Sequence, residues 1–228
     1  MKTAIITGIS RGLGEALALQ LLDLDYQVLG LGRSGSQRLA GRPGFRFEQR
    51  DLSRLQEVEA CEPLFAAIAR RPQRQVVLIN NAASAAPAGP FGTLEADEIA
   101  ASLQLNLTAA TVLANSFCRC FAGHDADKRL LNISSGAAFS AISGSGVYCI
   151  AKAGIEMLSQ AVSADKARHG VSAAAVQPGV IDTDMQRWLR QQAIEQLPTV
   201  NLFRDYHAAG ELRAASDVAA DIIRQYLC

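Results

Sequence analysis

Six short apolar or β-branched runs alternate with longer helical stretches, and this alternation restricts the fold more than any other feature of the chain. The runs cover residues 3–7, 27–31, 45–49, 76–80, 130–134 and 171–177. Strands separated by helices build a parallel sheet, because a parallel pair needs a long crossover and a helix supplies it. Strands this apolar are covered on both faces. Right-handed crossovers then put helices on either side, giving an α/β doubly wound parallel sheet of six strands. Ligands in such sheets bind at the carboxyl ends of the strands. With 228 residues, 49% of them hydrophobic, the chain can bury one sizeable core, so residues 1–228 are expected to form a single domain.

Two loops, 34–44 and 82–92, punctuate the pattern, the second rich in alanine, proline and glycine. Beyond Pro178 the rhythm changes. Residues 182–213 are polar and mixed, with one short helical pattern around Trp188, and are expected to form a mobile cover over a site at the strand ends. The blander alternative is a surface insertion without a role. A final helix is expected at 217–227.

Lysines plus arginines number 22 and so do the acids, so no overall field draws the chain to nucleic acid or an anionic membrane. The five cysteines, Cys61, Cys118, Cys120, Cys149 and Cys228, are odd in number and lack zinc-ligand spacing. That fits reduced thiols. Cys118 and Cys120 fall in a helical stretch, where residues two apart point in different directions, so no metal is expected. The amino terminus enters a strand directly and reads as neither signal peptide nor membrane span; a cytosolic protein is expected.

The first strand ends in Thr7-Gly8-Ile9-Ser10-Arg11-Gly12-Leu13-Gly14 and runs into an alanine- and leucine-rich helix, 15–23. Strand, glycines and helix in this order present free backbone N–H groups and a helix amino terminus to a pyrophosphate. A Rossmann-like dinucleotide site follows, with Gly8, Ser10, Arg11, Gly12, Leu13 and Gly14 as candidate contacts. No Lys-Ser or Lys-Thr follows the last glycine, as a phosphate-cradling ATPase loop would require.

Where an NAD-binding unit carries an acid for the ribose hydroxyls, at the end of the second strand, this chain has Gly32 followed by Arg33 and Ser34. Glycine leaves room for a 2'-phosphate, and Arg33 and Arg11 can pair it, so NADPH is favoured over NADH. The alternative is two solvated surface arginines. After the third strand, Asp51, followed by Leu52, is a candidate for the adenine. Asp51 can equally cap the helix that begins near Ser53.

At the reacting end, Tyr148 and Lys152 lie four apart in a helical stretch, 146–167, and so share a face. An ammonium near a phenol stabilises phenolate, and a lowered tyrosine pKa makes proton transfer useful. In the helical pattern 96–121, Asn106 falls on the apolar stripe. It either satisfies a kinked backbone or holds a water that feeds protons to Lys152. Ser134 and Ser135, at the end of the fifth strand, point to opposite faces, and only one can reach the site.

Together these residues resemble the short-chain dehydrogenases/reductases from Lys2 to about Gln186. The shared marks are Thr7 to Gly14; Asn80-Asn81-Ala82, with Ala83 where the family has glycine; Asn106; Ser135, thirteen before Tyr148; the Tyr148–Lys152 pair; and Pro178-Gly179 followed by Thr183. The resemblance selects Ser135 over Ser134. It implies that Asn81, Ala82, Pro178, Gly179, Val180, Ile181 and Thr183 contact the nicotinamide half, with Tyr148 and Lys152. It also implies an NADP(H)-linked oxidoreductase in which hydride goes to a carbonyl carbon and Tyr148 protonates the oxygen. Ser135 would hold that oxygen, Lys152 the ribose, and Asn106 the proton path.

Within the family the chain is most similar to the sepiapterin- and benzil-reducing branch. Relatives there continue into a seventh strand, and the sepiapterin enzymes carry a pterin-anchoring acid beyond it; six strands and a small apolar ketone or aromatic α-diketone are therefore expected here. Phe139, Ile142, Val180, Met185, Trp188 and Leu189 are candidate pocket walls. The resemblance further implies a homodimer through the helices carrying Asn106 and Tyr148. Competing expectations are a pterin carbonyl reductase, an NAD-linked alcohol dehydrogenase, and a non-catalytic dinucleotide sensor of the same fold.

Overall fold

A computed structural model describes residues 1–228. Six strands form one parallel sheet: β1 (Lys2–Thr7), β2 (Tyr26–Gly32), β3 (Phe45–Gln49), β4 (Gln75–Asn80), β5 (Asp127–Ile133) and β6 (Val171–Val176). Their order across the sheet is β3-β2-β1-β4-β5-β6. Ile5 of β1 sits opposite Leu29 of β2 on one side and Leu78 of β4 on the other. Such doubly wound sheets have their crevice where the strand order reverses, here between the ends of β1 and β4.

Alternation along the strands builds two separate cores. Ala4, Ile6, Val77, Ile79, Leu131 and Ile133 face one side, where α1 (Gly12–Asp23) and α10 (Ala215–Tyr226) cover them. Ile5, Val76, Leu78 and Leu130 face the other, beneath α2 (Leu55–Glu59), α3 (Glu62–Ala69) and α5 (Ala109–Phe121). Phe65, Phe117 and Phe121 are fully enclosed there, with the Phe117 and Phe121 ring centroids 4.9 Å apart. Burying one such ring stabilises the fold by about 2–3 kcal/mol.

The expected single helix 96–121 is instead α4 (Ala96–Leu103), a π-helical turn at Gln104–Thr108, and α5. Such turns widen a helix locally and are frequent at functional sites. The expected helix 146–167 ends earlier, as α6 (Gly146–Ala164), followed by a short α7 (Lys166–His169).

The 182–213 segment contains two helices rather than one, α8 (Asp184–Arg190) and α9 (Val200–Ala208). Its ends are stitched to each other: Arg213 N donates to Val180 O at 3.0 Å and Asp182 N to Arg213 O at 2.9 Å. Leu197 and Val200 are fully buried and anchor its middle. No helix is long and apolar enough to cross a membrane.

Candidate active site

The crevice is held by side chains at the ends of β1 and β4. The buried Thr7 hydroxyl accepts from the backbone N–H groups of Asn81 and Ala82, both at 2.9 Å. Asn81 Nδ2 donates to Thr7 O at 2.9 Å and Gly8 O at 3.1 Å. The amide nitrogen of Asn81 is thus spent on the glycine turn, which it locks to β4, while its Oδ1 has no partner in the chain. The turn tolerates no side chain at two places. Gly8 has φ +73°, and a Cβ at Gly14 would come 2.3 Å from Gly8 O. The amino end of α1 begins at Gly12. Glycines that bring backbone N–H groups together there, without side chains above them, fit a pyrophosphate.

At the end of β2, Gly32 lies against the same turn. A Cβ there would meet nothing closer than Ser34 O at 3.7 Å and Gly8 N at 3.9 Å, so packing does not demand glycine. Arg33 is exposed and enters no ion pair within the chain. Arg11 differs, because its guanidinium pairs with Asp184 at 2.5 Å. Asp51 closes a turn onto Ser53, whose N–H and hydroxyl donate to it at 3.1 and 2.6 Å. That hydrogen bonding, with Arg33 nearby, holds its carboxyl below the usual range. Leu52 is buried in the core beneath, and so supports the turn.

On the reacting side, β5 presents the two serines differently. Ser134 Oγ donates to Glu156 Oε1 at 2.6 Å and is thereby committed. Ser135 turns the other way, accepts from Ala137 N at 3.2 Å, and lies near enough to the Tyr148 phenol to lower its pKa. Lys152, four residues on from Tyr148, is buried, with Nζ 5.5 Å from the tyrosine ring centroid and donating to Ile133 O at 2.7 Å.

Burial pushes the Tyr148 phenol up to about 12 against the opposing pull of Ser135. Burial likewise brings the Lys152 ammonium down to about 8. The expected lowering of the phenol by the ammonium does not arise in the chain alone: removal of the phenolate from water dominates, and only Ser135 opposes it.

Asn106 projects from the π-helical turn onto the 82–92 loop. Its Oδ1 accepts from Ser84 N at 2.8 Å, and its Nδ2 donates to Ser84 O at 2.8 Å and Ser102 Oγ at 3.1 Å. The amide fixes the loop as another backbone would, so no side-chain donor is left over for a water. Beside it lies a cavity of about 10 Å³ lined by Thr7, Asn80, Asn106 and Lys152. That is the least space a single water needs, at about 10–15 Å³. The buried Asn80 Oδ1 has no partner.

Sequence reasoning missed Ser84, Ser102, Glu156 and Asp184. Ser102 alone carried a local signal, sitting one helical turn before Asn106. Phe91 was missed too: a Cβ at Gly146 would meet its ring at 2.4 Å, so the ring packs over the start of α6, two residues from Tyr148. Phe91 and Phe139 are both exposed, while Pro178, Val180, Ile181, Met185, Trp188 and Leu189 are partly so. Gly179 turns the chain between them with φ +75°. The Thr183 methyl lies 3.4 Å from where a Gly12 Cβ would sit, which brings the start of α8 onto the glycine turn.

This arrangement has counterparts. The chain is 33% identical over 226 residues to a benzil reductase ((S)-benzoin forming) of Bacillus subtilis (strain 168), covering 98% of this chain and 92% of that one. It is 31% identical over 208 residues to the sepiapterin reductase of Meriones unguiculatus, covering 84% and 78%. Among solved structures, a short-chain dehydrogenase from Sphingobium yanoikuyae in complex with NADPH matches with a TM-score of 0.75 and 26% identity, covering 96% of this chain and 82% of that one. The family model for short chain dehydrogenases matches residues 2–194. Its members are oxidoreductases that interconvert carbonyl and CH–OH groups with a nicotinamide dinucleotide, the chemistry for which a glycine turn facing a tyrosine and a lysine is suited. On that match, and on relatives above 30% identity spanning most of both chains, this chain belongs to the short-chain dehydrogenase family.

Proposed function

We propose that the chain is an NADPH-dependent carbonyl reductase for a small apolar ketone or an aromatic α-diketone of the benzil type, with Tyr148 as proton donor. The observation that carries this reading is the meeting of Ser135, Tyr148 and Lys152 at the carboxyl end of β5, beside the glycine turn. A phenol pushed up to about 12 keeps its proton at neutral pH, so the proton is in place, and its release to a carbonyl oxygen needs the phenol drawn back toward the working pH in the loaded site. Ser135 holds that oxygen by a second hydrogen bond. Lys152 spends one N–H on Ile133 O and has two left for the ribose hydroxyls. Asn106 holds the 82–92 loop, and a water in the cavity beside Lys152 carries the replacement proton. When bound, the reduced nicotinamide supplies the hydride.

Gly8, Ser10, Gly12, Leu13 and Gly14 hold the pyrophosphate, Arg11 joins Arg33 and Ser34 at the 2'-phosphate, and Asp51 and Leu52 border the adenine. Asn81, Ala82 and the residues Pro178, Gly179, Val180, Ile181 and Thr183 flank the nicotinamide. Gly32 in place of an acid, with unpaired Arg33 and Ser34 after it, supports the choice of NADPH. The NADPH held by the Sphingobium relative agrees with this choice. Apolar walls at Phe91, Phe139 and Trp188 and the benzil reductase relative support an aromatic diketone. The sepiapterin reductase relative makes a pterin carbonyl the second class to assay.

A homodimer through α6 is supported by Ile150 and Met157, both more than half exposed and two helical turns apart on one face. Sedimentation should give twice the chain mass, and Met157→Glu should return it to one. For the activity itself, oxidation of NADPH and NADH is followed with benzil and a sepiapterin-type carbonyl, and reduction of NADP and NAD with a simple alcohol. NADPH with benzil should be the fastest combination; faster turnover of the alcohol with NAD would overturn the assignment.

A further inference from the structure

The two arginines proposed to read the cofactor phosphate are not equivalent. Arg33 is free, whereas Arg11 is taken up by Asp184, the first residue of α8, at 2.5 Å. Asp184 is partnered again one turn along its helix, by Arg187. The pair is surface-exposed, at 73% for the Arg11 side chain and 35% for Asp184, so it is weak and easily exchanged. An incoming phosphate, more highly charged than a carboxylate, competes for Arg11 on favourable terms. Asp184 loses little in the exchange, because Arg187 remains bound to it.

From this geometry we propose that Asp184 sets the strength of NADPH preference by competing with the cofactor 2'-phosphate for Arg11. This rests on the NADPH reading above. Asp184 touches neither cofactor nor substrate in this scheme; it is a positioning residue acting through Arg11. NADH has no 2'-phosphate and should be indifferent to the competition. The effect must also fade with salt, since both competing pairs are exposed.

The test is direct titration of the full-length protein with NADPH and with NADH, read by cofactor fluorescence rather than turnover. Asp184→Asn should tighten NADPH about threefold at low ionic strength, the scale of an exposed ion pair, and leave NADH unchanged. The gain should vanish at about 0.5 M salt. In an Arg11→Ala background the same substitution should give no gain. The proposal is overturned if Asp184→Asn leaves NADPH affinity as it was, tightens both cofactors alike, or acts equally without Arg11. Wild-type protein and Arg33→Ala report separately on the underlying reading. If the wild type binds NADH as tightly as NADPH and Arg33→Ala weakens both equally, it is the NADPH assignment that fails, whatever Asp184 does.

Discussion

The crevice between β1 and β4 and the 182–213 segment border the same site but are held by different forces. In the crevice, Thr7, Asn81 and Asn106 use hydrogen bonds between 2.8 and 3.1 Å that are at least partly shielded from water. In the segment and the helix α10 that follows it, the charged side-chain ties are arginine–carboxylate pairs in solvent, Arg11 with Asp184 and Arg213 with Asp221. A shielded amide left without its partners costs a large part of a domain's stability, whereas an exposed ion pair costs almost nothing. The glycine-turn side is therefore built to stay fixed, and the 182–213 side is held by ties that exchange easily.

Four substitutions sharpen that contrast, taken from the largest effect down. Lys152 is brought down to about 8 from its ordinary 10.5. Between those pH values the unfolded chain keeps a proton that the folded chain has released, so raising the pH stabilises the fold. The stability of the wild type relative to Lys152→Met should therefore rise by about 3 kcal/mol from pH 8 to 10.5, measured by urea unfolding. Gly14→Ala forces a methyl against Gly8 O and should cost about 2 kcal/mol, with loss of dinucleotide binding in a fluorescence titration. Asn106→Ala leaves the Ser84 backbone groups without partners and should cost about 1–2 kcal/mol in the same unfolding assay. At the other extreme, Arg213→Ala should cost about 0.5 kcal/mol or less. An Arg213→Ala effect as large as that of Asn106→Ala would break the comparison.

The sheet was legible because its signal is periodic and local: Ala4, Ile5 and Ile6 alternate between two cores, as their pattern implies. The glycine turn was legible for the same reason, being one unbroken run. Ser134 against Ser135 was not, since alternation separates two faces without saying which one holds the site. Glu156 decides it, 22 residues away on α6. The π-helical turn at Asn106 left only one hint, a polar amide on the apolar stripe that a kinked backbone would use, because apolar spacing is helical on both sides of it. The α9 helix was hidden by its polarity: Asn201, Arg204, Asp205 and His207 crowd a sequence whose only fully buried residue is Val200. Asn81 and Arg11 were assigned to the cofactor by motif, and only the fold reveals that each already has a partner within the chain.

The central claim is that Tyr148 delivers the proton during carbonyl reduction. Its most direct test is the single-turnover rate of NADPH oxidation by benzil in wild-type protein and in Tyr148→Phe, with NADPH affinity measured alongside. The account predicts a rate lower by about 10²- to 10⁴-fold, the scale of a general acid, and NADPH affinity within about twofold of wild type, or about 0.4 kcal/mol. A variant that reduces benzil at the wild-type rate would contradict it.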